Sequence, residues 1–307
     1  MKIVIALGGN MISDASNKSE SFQDQQQRIS ESARIITDII ELGHQVVITH
    51  GNGPQVGSLL LQQQADVTGA VSLPLDILGA LTQGQIGVLL QHSLMNEFKQ
   101  RNIKQPVVVI PSTVLVQADD PGFQSPSKPV GPFFDQNRLQ QFLDEDPDFS
   151  YIQTDKGYRR VVASPKPVDI VEGELITNIM RDHLVIAVGG GGTPAICSNG
   201  QIQMRAAVID KDLASSLLAR TIGADMLLIL TNVDGVYRNF NHDNQEFIAE
   251  MSIQEAQELI ESDQVHRGSM EPKIQAGINF TGGPTIITSP EFALKALDGK
   301  AGTRIIN

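Results

Sequence analysis

The sequence predicts an α/β protein built on a mostly parallel sheet, and three observations carry that prediction. Short, uninterrupted apolar runs recur along the 307 residues, too brief for helices and lacking the alternation of a half-exposed strand. Three of them run into clustered glycines: Gly8-Gly9, Gly51 with Gly53, and Gly189 to Gly192. Helical patterns separate the runs, and strands alternating with helices give a mostly parallel sheet covered on both faces. The length lies near the point where one core begins to divide. One unit with two lobes, or a domain with an insertion, is expected.

Lys2–Leu7 reads as the first buried strand, ending at Gly8-Gly9-Asn10. After a Gln-rich stretch, Ile29, Ala33, Ile36 and Ile40 mark a helix face closed by Gly43. Gln45–Thr49 is the second strand, and His50 reads as a polar residue of the loop that follows. Pro54 suits the first turn of a helix running through Leu59, Leu60 and Leu61. A long helical pattern from Ile77 to Phe98 contains Thr82-Gln83-Gly84-Gln85, and Val107–Ile110 is a third buried strand.

From Asp119 to Arg160 prolines recur and apolar periodicity fades. A structureless stretch of that length is unusual in a compact domain, so 119–160 is expected to be a protruding inserted subdomain or lid. It carries Lys128 on the stiffened segment Lys128-Pro129-Val130-Gly131-Pro132-Phe133, and Arg159–Pro165 leads back to the main body. Leu184–Val188, Met226–Leu230, Thr285–Ile287 and Thr303–Ile306 read as further strands. Helices are expected over Ile253–Ile260 and, after Gly268–Lys273, through Ile274 and Ile278. In such a sheet ligands lie beyond the carboxyl ends of the strands, where the glycine loops collect.

Composition excludes several classes. A net charge of −12 argues against nucleic acid and anionic membranes as partners. No apolar run approaches the roughly 18 residues of a membrane span, and no signal-peptide pattern precedes the strand at Ile3. Cys197 is the single cysteine, so no intrachain disulfide or cysteine metal cluster can form. These features give the expectation of a cytoplasmic protein. The six histidines show no metal-ligand spacing, and any Mg²⁺ would arrive with a nucleotide.

Ala207-Val208-Ile209 runs straight into Asp210-Lys211-Asp212, and an apolar helical pattern resumes at Leu213. Asp210 or Asp212 can cap that helix, but capping does not explain the lysine. A helix N-terminus disfavours a cation unless an anion is expected there. Lys128, Lys211 and Lys273 all lie in glycine- or proline-fixed settings, and together they meet the needs of phosphoryl transfer, which asks for positive charge around the moving oxygens. The P-loop pattern is absent. Gly51, Gly53 and Gly57, with Asp76 further on, approach a dinucleotide fingerprint, but the spacing and the place in the chain both differ from it.

Taken in order, Ala6–Asn10, Thr49–Gly57, Lys128–Phe133, Arg159–Pro165, Gly189–Gly192, Ala207–Ser215, Gly268–Lys273 and Gly299–Ile305 resemble carbamate kinases of the amino-acid-kinase superfamily, over essentially the whole chain. The resemblance implies a three-layer αβα sandwich forming one domain over 1–307, with the protruding subdomain and a homodimer. It implies reversible phosphoryl transfer between carbamoyl phosphate and ADP, giving ATP and carbamate, often at the end of arginine or purine catabolism. Lys128 and Lys211 would then contact the transferring phosphoryl, Lys273 the nucleotide phosphates, and Asp210 would hold the lysines. Gly8, Gly9, Asn10, Gly51, Asn52 and Gly53 would bind the carbamate and phosphoryl end. The nucleotide side, about 184–307, would use Gly189, Gly190, Asp212, Thr231, Val233, Tyr237, Ser269, Met270 and Lys273. The sequence departs from the family at Met11, Asn232, Val265-His266-Arg267 and Glu271. A narrowed acceptor site at Met11 would give a kinase for another small carboxylate or carbamate, and lost turnover would give a nucleotide-binding regulator.

Overall fold

The structure is a computed structural model that describes residues 1–13, 21–65, 69, 71–147, 149–262, 264–265 and 268–306. An eight-stranded sheet forms its centre, in the spatial order Glu250–Ser252, Thr303–Ile306, Thr285–Thr288, Met226–Leu230, Lys2–Leu7, Gln45–His50, Leu184–Ala187 and Val107–Ile110. All neighbours run parallel except Thr285–Thr288 against Thr303–Ile306. The apolar runs are continuous because both faces of the sheet are buried.

Strand alternation divides the core in two. Ile3, Ile5, Leu7, Val46 and Ile48 face one way and pack with Ile29, Ile36, Leu90 and Leu94 of the helices Phe22–Glu41 and Leu75–Gln100. Val4, Ala6, Val47, Leu227 and Ile229 face the other and pack with Leu218 and Ile274 of the helices Lys211–Thr221 and Glu271–Asn279. The three-layer αβα sandwich follows directly. Gly43, closing the first helix, takes φ +82°, which a side chain would strain.

Beyond the central sheet, Gln201–Met204, Thr193–Ser198, Thr113–Val116 and Pro167–Ile170 form a four-stranded sheet that the hydrophobic pattern did not announce. A three-stranded antiparallel sheet joins Lys128–Phe134, Gly157–Val162 and Tyr151–Thr154, with the helix Gln136–Glu145 between its strands. Leu139, Phe142 and Phe149 give it a small core of its own, with Phe134 packed against them. Arg159 and Arg160 belong to this sheet.

One contact fixes how the long helix lies on the sheet edge. A Cβ on Gly87 would sit 2.5 Å from Cγ1 of Val109. Gly87→Ala is expected to lower stability by about 1–3 kcal/mol through overpacking, measured by urea unfolding; equal or greater stability would show that the helix rides free of the strand.

Candidate active site

The carboxyl ends of Lys2–Leu7, Gln45–His50 and Leu184–Ala187 open onto one cleft, to which the start of the helix Lys211–Thr221 also comes. Asp210 is the cap of that helix: Oδ1 accepts the N–H of Asp212 at 2.8 Å and that of Leu213 at 3.5 Å. Its Oδ2 accepts a hydrogen bond from Lys128 Nζ, which the three-stranded sheet brings in from outside the main body. One carboxylate therefore caps a helix and receives the lysine of a separate small sheet. The helix is tied to the central sheet by hydroxyls. Ser215 Oγ donates to Lys211 O at 2.6 Å, so the 2.6 Å contact between Ser215 Oγ and Thr49 Oγ1 uses the proton of Thr49.

Asp212 points into the protein and meets two ammonium groups. Its Oδ1 lies 2.8 Å from Lys211 Nζ and its Oδ2 3.2 Å from Lys273 Nζ, which also donates to Ser269 O at 3.0 Å. Burial pushes the Asp212 carboxyl up, but the two cations outweigh it and hold it below the usual carboxylate range. Burial likewise pushes Lys211 down, and Asp212 offsets part of that. The contact between Lys211 and Asp212 is close but off-axis. Lys211 Nζ is enclosed, and beyond Asp212 its donors meet no acceptor among the described residues. A buried ammonium with unused donors is costly unless an anion completes it.

The cleft is lined by Gly9, Gly51, Asn52, Gly53, Lys128, Gly190, Asp210, Lys211, Asp212 and Lys273. A second cavity of about 450 Å³ lies beside it, lined by Thr231, Asn232, Val233, Tyr237, Phe240, Ser269, Met270 and Lys273. Ser269 and Lys273 line both, so Lys273 stands where the two meet. Thr231, Val233, Tyr237, Ser269 and Met270, placed on the nucleotide side from the sequence, thus share one cavity. Gly189 and Gly190, placed with them, lie elsewhere. A Cβ on Gly189 would strike the His50 ring at 2.4 Å, and one on Gly190 would meet the Asn52 amide at 2.1 Å.

Gly8 does not line the cleft: its N–H donates to Leu230 O at 2.8 Å, as that of Gly51 does to Leu7 O at 3.1 Å, so neither is free for an anion. For Asn10 the backbone alone is described, in the turn Gly9–Met11. His266 and Arg267 lie outside the described residues. Met11 does not narrow the cleft; its side chain is buried in the core with Ile12 and Ile29. His50 is no loop residue either. It ends a strand, fully buried, and burial pushes its pKa down to about 4.

Sequence reasoning passed over the buried polar residues behind the cleft. Thr82 accepts a hydrogen bond from Asn52 Nδ2 at 2.8 Å. Gln83 grips Ser112, accepting its N–H at 2.8 Å and donating to its carbonyl at 3.1 Å. Ser112 Oγ in turn accepts the N–H of Val188 at 2.9 Å. Val188 sits at φ +54°, a strained setting for a β-branched residue, just ahead of the glycine loop. The sequence signal is weak, because Thr82 and Gln83 are two of many polar residues along that helix.

The family model described as the amino acid kinase family matches residues 1–289. The chain belongs to the amino acid kinase family. It is 44% identical over 312 residues to a carbamate kinase of Halobacterium salinarum, covering 99% of this chain and 97% of that one. With a carbamate kinase of Thermococcus kodakarensis it shares 40% over 312 residues, covering 99% of both. The solved structure of a carbamate kinase from Giardia lamblia bound to AMP-PNP aligns with a TM-score of 0.91 at 38% identity, over 99% of this chain and 98% of that one. A UMP kinase from Bacillus anthracis, at 16% identity and a TM-score of 0.51, shares the fold.

His50 carries a pH dependence with a definite sign. Its folded pKa of about 4 lies below the ordinary 6.5, so its contribution to stability is full above 6.5 and is lost as pH falls toward 4. The loss amounts to roughly 3 kcal/mol at most. Chemical denaturation between pH 7 and 4 should show that decline, and His50→Gln should flatten it; an identical decline in the variant would place its origin elsewhere.

Proposed function

We propose that the protein is a carbamate kinase, moving a phosphoryl group reversibly between carbamoyl phosphate and ADP to give ATP and carbamate. The observation that carries this reading is Lys211, fixed beside Asp212 and lining a cleft that also holds Lys128 and Lys273. Near-full-length relatives at about 40% identity bear the name carbamate kinase, which supports carbamate as the acceptor.

The mechanism needs little covalent help. Phosphoryl transfer spreads charge over three equatorial oxygens while the bond to one oxygen breaks and the bond to another forms. Carbamoyl phosphate would lie in the cleft with its phosphoryl group toward Lys211 and Lys128, and ADP in the adjoining cavity with its β-phosphate toward Lys273. A β-phosphate oxygen attacks phosphorus, the bond to the carbamate oxygen breaks, and the electron pair leaves with carbamate. Lys128 and Lys211 stabilise the moving group, and Lys273 neutralises the nucleotide end. Gly9 and Gly53 let backbone approach the anion, the latter at a helix N-terminus. No group of three or more His, Cys, Asp or Glu side chains suited to a metal occurs among the described residues, and Asp210 and Asp212 are taken up by lysines. Mg²⁺ would come with the nucleotide and neutralise its phosphates.

The segment 119–160 would act as a lid that brings Lys128 in and excludes water. Leu81, Val88 and Met95, exposed at seven-residue spacing on the helix Leu75–Gln100, suit a homodimer contact. A cytoplasmic enzyme fits the single unpaired Cys197, and among the described residues no helix is long and apolar enough to cross a membrane.

The test mixes the protein with carbamoyl phosphate, ADP and Mg²⁺ and follows ATP by a coupled assay. ATP should form, and Lys211→Ala should lower kcat by about 10²–10³-fold while near-ultraviolet circular dichroism stays native. Near-normal turnover in that variant would remove Lys211 from the mechanism.

A further inference from the structure

The Asn52 amide lines the cleft, and the residue behind it decides which way round it sits. Thr82 is fully buried on the helix Leu75–Gln100. A threonine hydroxyl has one proton to give. Thr82 Oγ1 lies 2.6 Å from Gly79 O, an acceptor only, which takes that proton. Toward Asn52 the hydroxyl can therefore only accept, and it does so from Nδ2 at 2.8 Å. The amide is thus oriented by a committed proton: nitrogen to Thr82, oxygen away from it. The backbone of Gly190, at φ +64°, closes against the same amide, since a Cβ there would lie 2.1 Å from Nδ2 and 2.3 Å from Cγ.

We propose that Thr82 is a positioning residue for substrate choice: it turns the Asn52 carbonyl oxygen toward the acceptor end of the cleft, where it receives an N–H of the carbamate amino group. The inference rests on the carbamate kinase reading above. Carbamate and carboxylates of the same shape differ in that amino group. Lysines and backbone N–H groups bind their anionic ends alike and cannot tell them apart. An acceptor facing the amino position can, because an analogue bearing a methyl there leaves the Asn52 oxygen unpaired. In Thr82→Val the amide nitrogen loses its acceptor, the amide is free to turn over, and a donor faces the amino group.

The test compares carbamoyl phosphate with acetyl phosphate, its methyl counterpart, as phosphoryl donor to ADP. In Thr82→Val the ratio of kcat/KM for carbamoyl phosphate to that for acetyl phosphate is expected to fall about tenfold or more, with the loss carried in KM for carbamoyl phosphate. Thr82→Ser, which keeps the hydroxyl, should restore the ratio. Thr82→Ala makes the same comparison if the valine variant unfolds early by thermal denaturation. An unchanged ratio, an equal loss on both donors, or a serine variant behaving like valine would overturn the proposal. A wild-type protein that binds ADP yet makes no ATP from carbamoyl phosphate would instead overturn the carbamate kinase reading on which it rests.

Discussion

Asp212 is a buried carboxylate facing two buried or half-buried ammonium groups, and the site is arranged around keeping that cluster charged. Removing charges from water costs several kcal/mol per ion, and mutual attraction repays it only when geometry and further hydrogen bonds are good. Here the cluster carries a surplus of cation: Lys211 and Lys273 share one anion, and Lys211 keeps unused donors. The surplus is what a phosphoryl group would complete. Outside the cluster, Asp210 performs the complementary task of capping the helix while receiving Lys128. A chain with a net charge of −12 thereby offers an anion a locally cationic pocket.

The fold makes this arrangement cheap to maintain. Parallel strands send all their carboxyl ends to one edge, so loops from distant parts of the chain meet there without long connections. Gly9 follows one strand, Gly51 to Gly53 the next, and Gly190 a third, while the helix from Lys211 arrives from the opposite layer. Behind them the long helix adds a polar seam, with Thr82 set against Asn52 and Gln83 against Ser112, so the loops rest on rigid secondary structure.

Much of this was legible in the sequence because it depends on local signals. Continuous apolar runs, glycine loops and the Asp-Lys-Asp break mark the central sheet and the anchoring helix, and they stand where expected. Some of the strands that escaped notice lack a continuous apolar run. Gln201–Met204 is exposed along its length, and Tyr151–Thr154 is nearly so. His50 was misread because a titratable residue beside glycines resembles a loop residue until its burial against Gly189 is known. Met11 suggested a changed acceptor site by its place next to Gly9 and Asn10; only packing shows that its side chain turns into the core. The roles of Thr82 and Gln83 depend on partners far away in the chain, which spacing cannot reveal.

The most direct test of the charge cluster is the alkaline limb of kcat for ATP formation from carbamoyl phosphate and ADP, compared between wild type and Asp212→Asn. Burial already pulls Lys211 below the 10.5 of an ordinary lysine, and Asp212 opposes that pull. If the cation is what transfer requires, removing the carboxylate should move the limb to lower pH by about one unit or more. A limb that stays in place, or that moves to higher pH, would contradict the view that Asp212 keeps Lys211 charged for phosphoryl transfer.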